Sequence, residues 1–346
     1  MALPDNPLGT QGFAFVMFTG PEPEALSALF ARLGVPLTAR HRTKAIDLHQ
    51  SGEVTFLIDR TGTGFSRDFT ATHKAGASAM GFKVQDAEAA FQGALARGAT
   101  AIEDADDPVG LRAIEGIGGS RLYLADDGLD FSEHFDLVEG ASWGAVGPTG
   151  LLLIDHLTHN VHRGQMKVWA DYYESIFGFR EIRHFDIEGK KTGLFSKAMT
   201  SPDGNIRIPL NESQDDKSQI EGFLNEYGGE GIQHIALLAE DMYHAIPTMR
   251  QRGARFQDTP ETYYELLPTR LPEHKEDLAF LREHRVLMDG GEAQGGGFLL
   301  QIFTENVIGP IFFEIIQRKG NEGFGEGNFQ ALFESIELDQ ERRGVI

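Results

Sequence analysis

The chain has 346 residues, of which 41% are hydrophobic and 10% aromatic, and its formal net charge at pH 7 is −21. The length predicts about two globular domains, and the acidic charge argues against nucleic acids and anionic membranes as partners. Cysteine is absent, which excludes disulfides, zinc–thiolate sites and iron–sulfur clusters and fits a reducing, cytoplasmic location. We find neither a secretory leader pattern nor an apolar run of about 20 residues, so we expect no membrane association.

The predicted elements repeat at a domain-sized spacing. Residues 12–35 align without gaps with residues 156–179, and both segments read as a strand, a helix and a turn that contains glycine. Residues 76–99 align in the same way with residues 231–254, and both segments end in Arg-Gly-Ala, with the glycine placed to close a helix. This order indicates the duplication of one module of the βαβ type.

The segments between the repeats read mostly as strands. Predicted strands cover 45–58, 191–199 and 206–210, and predicted hairpins cover 111–126 and 285–304. A helical insertion over 273–284 precedes the second hairpin and has no counterpart in the first half. The glycine-rich segment 140–150 is the predicted boundary between an N-terminal domain, 1–140, and a second domain, 151–346.

Two histidines interrupt apolar strands of the second half only. In the repeat alignment His156 lies over Gly12, and His234 lies over Ala79. Packing shared by the two halves therefore requires neither histidine, which favours a functional role over a core histidine satisfied by one hydrogen bond. We interpret His159 and His162 as structural or exposed.

Strand periodicity predicts which side chains share a face with these histidines. The segment LLLIDHLTHNV, residues 151–161, should place His156, Thr158 and Asn160 on one face. His234 should share its face with Ile232 and Ala236.

Glu314 supplies a third candidate ligand. It interrupts the apolar strand IFFEIIQR, residues 311–318, and a buried carboxylate without a partner would be very costly. An ion pair with Arg318 is the structural alternative. Two histidines and one carboxylate from three strands match the facial triad of non-haem Fe(II) oxygenases, although zinc also accepts this ligand set.

The motifs of the second half resemble those of a known family. IDH, GIQHIAL, LLQIFT, FFEIIQR and GFGEGNFQALFESIE are similar, in order and at family spacing, to motifs of the 4-hydroxyphenylpyruvate dioxygenases. The resemblance covers Leu151 to about Arg343 and is weaker but collinear in the first half. That family belongs to the vicinal-oxygen-chelate superfamily. The resemblance implies an α+β fold of two homologous domains, each built of paired βαβββ modules in a glyoxalase-like half-barrel, plus a C-terminal lid helix.

The resemblance also implies the chemistry. Domain 1–140 would be degenerate and lack metal ligands, whereas His156, His234 and Glu314 of the catalytic domain would hold Fe(II). In the implied reaction, 4-hydroxyphenylpyruvate, a 2-oxo acid, reacts with O₂ and undergoes oxidative decarboxylation, ring hydroxylation and side-chain migration. Its products are homogentisate and CO₂, as in the catabolism of tyrosine and phenylalanine. A homo-oligomer is implied as well.

Roles on the substrate side follow from the same resemblance. It implies catalytic roles for Ser196, Asn211, Gln233, Gln301 and Phe329, and substrate contacts for Pro209, Gln219, Phe303, Phe312, Phe324 and Asn328. Amide and hydroxyl groups suit a phenol, and phenylalanine rings suit an apolar wall. Gln301 and Phe303 should point inward, with Leu300 and Ile302 pointing away. The structural alternatives are a surface position for Gln219 and core positions for Phe303, Phe312 and Phe324.

The C-terminal segment is predicted to form a lid helix over residues 328–343. Asn328 is its predicted N-cap, after the hinge glycines of GFGEG. Apolar residues recur at helical spacing and basic residues occupy the last turn before a terminating glycine, namely Phe329, Leu332, Phe333, Ile336, Arg342, Arg343 and Gly344. A static helix that completes the core is the alternative.

Three other functions share these features. Hydroxymandelate synthase uses the same substrate and triad, but Pro209 and Phe329 follow the dioxygenase pattern. An extradiol dioxygenase shares the duplicated fold and triad but lacks the GFGEGNF segment. A ligand-sequestering module of the bleomycin-resistance type has no need of an intact triad.

Overall fold

The computed structural model describes residues 5–103, 110–126, 129–188 and 193–342. Their strands form two sheets, one from each half of the chain. In the first half the strands are β1 Thr10–Thr19, β2 Leu37–His41, β3 Ile46–Ser51, β4 Val54–Asp59, β5 Gly76–Val84, β6 Ala101–Ile102, β7 Arg112–Glu115, β8 Arg121–Asp126 and β9 Phe135–Leu137, and the α-helices are α1 Pro23–Leu33, α2 Gly64–His73 and α3 Ala87–Ala96.

In the second half the strands are β10 Leu151–Val161, β11 Arg180–Glu188, β12 Gly193–Thr200, β13 Arg207–Ser213, β14 Gly231–Ala239, β15 Leu287–Gly290, β16 Phe298–Phe303 and β17 Phe312–Lys319. The α-helices are α4 Met166–Phe177, α5 Gln219–Tyr227, α6 Met242–Gln251, α7 Glu261–Arg270, α8 Leu278–His284 and α9 Glu326–Arg342. None of the helices in the described ranges is long and apolar enough to span a membrane.

The two sheets share one strand order around their centres. The first runs β6-β7-β8-β5-β1-β4-β3-β2-β9, and the second runs β11-β12-β13-β10-β14-β17-β16-β15. In each sheet the central pair is antiparallel, β1 with β5 and β10 with β14, and each member of that pair has a parallel partner on its other side. This architecture confirms the predicted duplication and the predicted α+β fold of two half-barrels.

The outer faces of the two sheets contribute to one core. Phe313 of β17 packs against Phe18, Phe30 and Phe56 of the first half, with ring centroids 5.8–6.5 Å apart. The inner face of the first sheet is filled by its own apolar side chains, including Phe15 and Tyr123, whose centroids lie 5.6 Å apart. The inner face of the second sheet instead carries polar side chains, and it holds the site.

Strand register corrects the repeat alignment. His156 pairs with Ala236 as Phe15 pairs with Gly81, so His156 corresponds to Phe15 and not to Gly12. The prediction was wrong because the connection from strand to helix end is longer in the second half. A gapless alignment that matches the helix ends at Gly34 and Gly178 therefore shifts the strands.

The same register places His234 opposite Thr158 and Ala79 opposite Met17, and it relates Glu314 to Tyr123. The three candidate ligands thus correspond to Phe15, Ala79 and Tyr123, all fully buried. The first half therefore has neither a histidine nor a carboxylate at these three positions.

Two helix predictions need correction. The insertion predicted over 273–284 forms a helix only from Leu278, and α7 precedes it without having been predicted. The C-terminal helix begins at Glu326 and not at Asn328, because Gly325 adopts a left-handed backbone (φ 77°) that ends the preceding segment. Its predicted end at 343 lies outside the described residues.

Two buried histidines predict a loss of stability in acid. His49 and His159 are fully buried, and burial lowers the pKa of His49 to about 4 and that of His159 to about 3. Because their pKa is higher in the unfolded chain, the stability from keeping them neutral is present above about pH 6.5 and is lost as pH falls.

Urea unfolding at pH 7 and pH 5 measures this effect. Replacing His49 by leucine should reduce the stability lost between these pH values by about 1–2 kcal/mol, whatever the variant's stability at pH 7. His162→Gln is the matched control, because His162 is exposed. An unchanged loss in His49→Leu would contradict the assignment.

Candidate metal centre

Two of the β-bulges in the second sheet lie next to the candidate ligands. Register shifts fall between Ile154 and His156 on β10, and where β14 passes from His234 to Ile232. A bulge breaks the alternation of faces and lets two consecutive side chains point the same way. Asp155 thereby lies beside His156, and Gln233 lies beside His234.

The bulge in β14 also corrects one facing prediction. Ile232 does not share the inner face with His234 but packs in the large core with Ile235 and Leu237. On β10, His159 bonds Tyr173 of α4 on the outer side, at 2.8 Å. His159 is therefore structural, as predicted.

The three predicted ligands meet at one point. His156 Nε2 lies 3.1 Å from Glu314 Oε2, and His234 Nε2 lies 3.5 Å from the same oxygen. One ligand atom from each residue lies within 4.8 Å of the others. His156 and Glu314 are buried, so the cluster sits inside the half-barrel.

The second nitrogen of each histidine is already occupied. His156 Nδ1 donates to Asp155 Oδ2 at 2.8 Å, and His234 Nδ1 lies 2.6 Å from Gln233 Oε1. Each Nε2 is therefore the nitrogen turned toward Glu314. Burial holds the pKa of His234 well below its usual value, which favours the neutral ring.

The chemistry of this donor set fits a divalent metal. Two imidazole nitrogens and a carboxylate from three strands are the donor set of a facial triad, which would leave other positions of a bound metal open. Asp155 and Gln233 supply the outer partners that metal-bound histidines have in most metalloproteins. Among the described residues this is the one group of three potential ligands gathered in this way.

Three predicted wall residues adjoin the triad. The Phe312 ring stacks on His234 with centroids 4.9 Å apart, and the Phe303 ring meets Phe312 edge-on at 5.9 Å. Phe324 approaches His156 edge-on at 5.3 Å. These rings give the site an apolar side beside its metal ligands.

A chain of hydrogen bonds connects Glu314 to the C-terminal helix. Gln301 Nε2 donates to Glu314 Oε1 at 3.0 Å, and Asn328 Nδ2 donates to Gln301 Oε1 at 2.8 Å. Tyr263 donates in turn to Asn328 Oδ1 at 2.6 Å. The inward facing of Gln301 is confirmed, with Leu300 buried in the core behind it.

The position of Asn328 corrects its predicted role. It lies inside the first turn of α9, where its side chain bonds Gln301 and Tyr263 instead of capping the helix. The N-cap prediction failed because the partners of this amide come from α7 and β16, which are remote in sequence.

The remaining polar candidates form a row across the sheet. Ser196 of β12 pairs with Asn211 of β13, which pairs with Asn160 of β10. Pro209 is two residues before Asn211 and is buried on β13. This row lies farther along the strands than the triad, on the face that carries it.

Two candidates stand apart from this group. Gln219 is exposed in the first turn of α5, and in the described ranges no hydrogen bond links it to the triad. Phe329 is 50% exposed, so its ring is not packed into the wall. Their roles on the substrate side remain predictions.

Sequence reasoning missed the buried pair next to His156. Arg318 does not pair with Glu314 but binds Asp155 through two nitrogens, at 2.8 and 2.7 Å. Asp155 stands directly before His156 in the sequence. That adjacency was the available signal, but regular alternation would have turned Asp155 to the opposite face.

Comparisons with known proteins agree with this geometry. Residues 4–137 match the family model "Hydroxyphenylpyruvate dioxygenase, HPPD, N-terminal", and residues 153–267 match "Glyoxalase/Bleomycin resistance protein/Dioxygenase superfamily". The chain is 52% identical to a 4-hydroxyphenylpyruvate dioxygenase of Legionella pneumophila, over 99% of this chain and 98% of the relative. It is also 52% identical to one of Pseudomonas aeruginosa, over 99% and 97%.

A solved structure gives the same result for the fold. A triple mutant of 4-hydroxymandelate synthase from Streptomyces coelicolor superposes with a TM-score of 0.80 at 28% identity, over 96% of this chain and 99% of that one. The identity to the two bacterial relatives extends over nearly the full length of each chain. The chain therefore belongs to the 4-hydroxyphenylpyruvate dioxygenase family.

Proposed function

We propose that this chain is an Fe(II)-dependent enzyme that converts 4-hydroxyphenylpyruvate and O₂ into homogentisate and CO₂. The observation that carries the proposal is the buried group of His156, His234 and Glu314 in a chain of this family. Iron bound there would activate O₂ and supply the oxidative chemistry. The same activity places the protein in tyrosine catabolism, and we expect a cytoplasmic homo-oligomer.

The protein's own part is to bind and orient the substrate. A metal held by His156, His234 and Glu314 would keep further positions open, which the 2-oxo acid could chelate. Phe312 and Phe324, which each contact one of the two histidines, and Phe303, which contacts Phe312, would flank the aromatic ring. Such apolar walls also exclude water from the reacting groups.

The polar row suits the far end of the same substrate. Ser196 and Asn211 lie opposite each other on β12 and β13, and they offer neutral donors and acceptors to a phenol. Asn160, their neighbour on β10, lies two residues beyond Thr158, the partner of His234. This offset is about 7 Å along the strand direction, so the polar row lies beyond the candidate ligands in that direction.

Hydroxymandelate formation from the same substrate is the second candidate. The fold is shared with the synthase mutant, so architecture does not separate the two reactions. Pro209 and Phe329 favour the dioxygenase, as the family pattern implies.

One experiment tests the proposal. The protein is loaded anaerobically with Fe(II), mixed with 4-hydroxyphenylpyruvate and then exposed to air, and the products are separated by chromatography. Homogentisate with matching O₂ uptake is expected. Hydroxymandelate alone would favour the synthase, and substrate binding without O₂ uptake would favour a sequestering module.

Phe329 is predicted to control the product. Replacing it by isoleucine removes ring volume, which should let the substrate pivot and bring its benzylic carbon within reach of the oxidant. A measurable fraction of hydroxymandelate should then accompany homogentisate in the same assay. Gln330→Ala, one position along on the exposed side of α9, is the control. Homogentisate as the only product of Phe329→Ile, formed at an unchanged rate, would remove Phe329 from the positioning role.

A further inference from the structure

Asp155 and Arg318 belong to neither the ligand set nor the predicted substrate residues, yet they adjoin a ligand. We propose that Asp155, held in place by Arg318, is a positioning residue that fixes the tautomer and ring orientation of His156. The inference rests on the metal site of the proposed function. It concerns how one ligand is prepared and not which reaction follows.

The proton on His156 is fixed by its acceptor. A neutral imidazole has one N–H, and a carboxylate can only accept a hydrogen bond. The contact between His156 Nδ1 and Asp155 Oδ2, at 2.8 Å, therefore places the proton on Nδ1. The lone pair of Nε2 would then be available to a metal on the side of Glu314.

Arg318 keeps Asp155 where this contact needs it. Its Nε donates to Oδ1 at 2.8 Å and its Nη2 donates to Oδ2 at 2.7 Å. The two side chains are only 10% and 4% exposed. A bidentate ion pair of this kind fixes the orientation of the carboxylate plane as well as its distance from the guanidinium.

Backbone oxygens after β17 hold Arg318 in place in turn. Its Nη1 donates to the backbone oxygens of Asn321 and Gly323, at 3.1 and 2.8 Å. Arg207 forms a second link: its Nη1 donates to Asp155 Oδ1 at 3.2 Å, and its Nη2 donates to Glu322 Oε2 at 2.6 Å. The histidine is thus tied to the segment that leads into α9.

Comparison with the partner of His234 shows why Asp155 fixes a tautomer more strictly. His234 meets the side-chain amide of Gln233, and an amide presents a donor or an acceptor according to which way it is turned. A carboxylate has no such choice. We therefore expect the tautomer of His156 to depend on Asp155 more strictly than that of His234 depends on Gln233.

Metal affinity of the full-length protein provides the first test. Co(II) binding is titrated by calorimetry for the wild type, Asp155→Ala, Asp155→Asn and Arg318→Met. Removing an outer partner should raise the Kd of Asp155→Ala by about 10–100-fold. Asp155→Asn retains an acceptor oxygen and nearly the same volume, so it should lie between the wild type and the alanine variant. Arg318→Met should also weaken binding, because Asp155 loses its anchor.

A matched control separates positioning from general damage. Asp47 of the first half is similarly buried (5% exposed) and accepts from Arg60 Nη1 at 2.7 Å. Asp47→Ala should lower stability yet leave the Kd for Co(II) unchanged.

Nitrogen NMR of the Zn(II)-loaded protein gives a readout independent of affinity and turnover. The wild type should show a slowly exchanging Nδ1–H resonance for His156, and Asp155→Ala should lose it. If Asp155→Ala does not fold, the comparison of wild type with Asp155→Asn and Arg318→Met decides the matter.

The outcomes distinguish the inference from the proposed function. Wild-type affinity and an intact Nδ1–H resonance in the Asp155 and Arg318 variants would overturn the positioning role alone. A wild-type protein that binds neither Co(II) nor Fe(II) would overturn the metal site and the inference with it.

Discussion

Replacing His156, His234 or Glu314 by alanine is expected to abolish metal binding and turnover together while the fold is retained. Loss of an outer partner already costs about 10–100-fold in affinity or activity, so loss of a ligand should cost at least about 100-fold. The fold should survive because the first half packs Phe15, Ala79 and Tyr123 at the corresponding positions.

Thermal unfolding with and without Fe(II) links the two losses. A metal at 100 times its Kd stabilises the folded state by about 2.7 kcal/mol. The wild type should gain this stability and the three variants should not. His162→Ala is the control, since this histidine follows β10 directly and is exposed. Near-normal turnover in any one variant would remove that residue from the site.

The candidate ligand set was predictable because each of its three residues breaks a simple pattern. A histidine or glutamate inside an apolar strand needs a partner. The first half has no histidines at the matching positions, which indicated that these residues serve a function and not the packing of the fold. The order of strands and helices was also predictable, because the two halves repeat the same succession of elements. The error in the position matched to His156 did not matter, because Phe15 is no more a ligand than Gly12.

The outer partners were not predictable from periodicity. A period of two assigns Asp155 and His156 to opposite faces, and only a bulge brings them together. Arg318 posed a related problem, since its nearest carboxylate along the strand is Glu314 and its actual partner, Asp155, belongs to β10. Asn328 was misread as a cap because α7, which supplies Tyr263, carries no clear sequence signal.

Deleting residues 328–346 is expected to leave a folded protein that binds Fe(II) but forms little homogentisate. The ligands lie on β10, β14 and β17, which the deletion does not touch. The deletion removes the Asn328 amide that bonds Gln301, and with it the link from α9 through Gln301 to Glu314. Turnover should collapse, or O₂ uptake should exceed homogentisate formation, because a site open to water and reductants no longer protects its oxidant.

Several contacts hold α9 against the rest of the second half. The helix is anchored at both ends, by Asn328 and by an ion pair of 2.7 Å between Arg342 and Glu265, and Thr262 bonds the Ser335 backbone oxygen at 2.6 Å. Such anchoring suits the static alternative as well as a closed lid. The sequence feature that favours a lid is the group of glycines before α9, of which Gly325 adopts a positive φ that other residues rarely adopt. Its close approach to Gln301 explains why no side chain fits at this position.

Asn328→Ala separates the two interpretations without removing the helix. It breaks the contacts with Gln301 and Tyr263, whereas Gln330→Ala, on the exposed side of the same turn, does not. If α9 closes over the site, Asn328→Ala should bind Fe(II) normally and consume more O₂ than the homogentisate it forms, and Gln330→Ala should behave like the wild type. Normal homogentisate yield from the truncated protein would exclude a lid. A truncated protein that cannot fold, together with an Asn328→Ala variant that remains fully coupled, would make α9 a fixed part of the core.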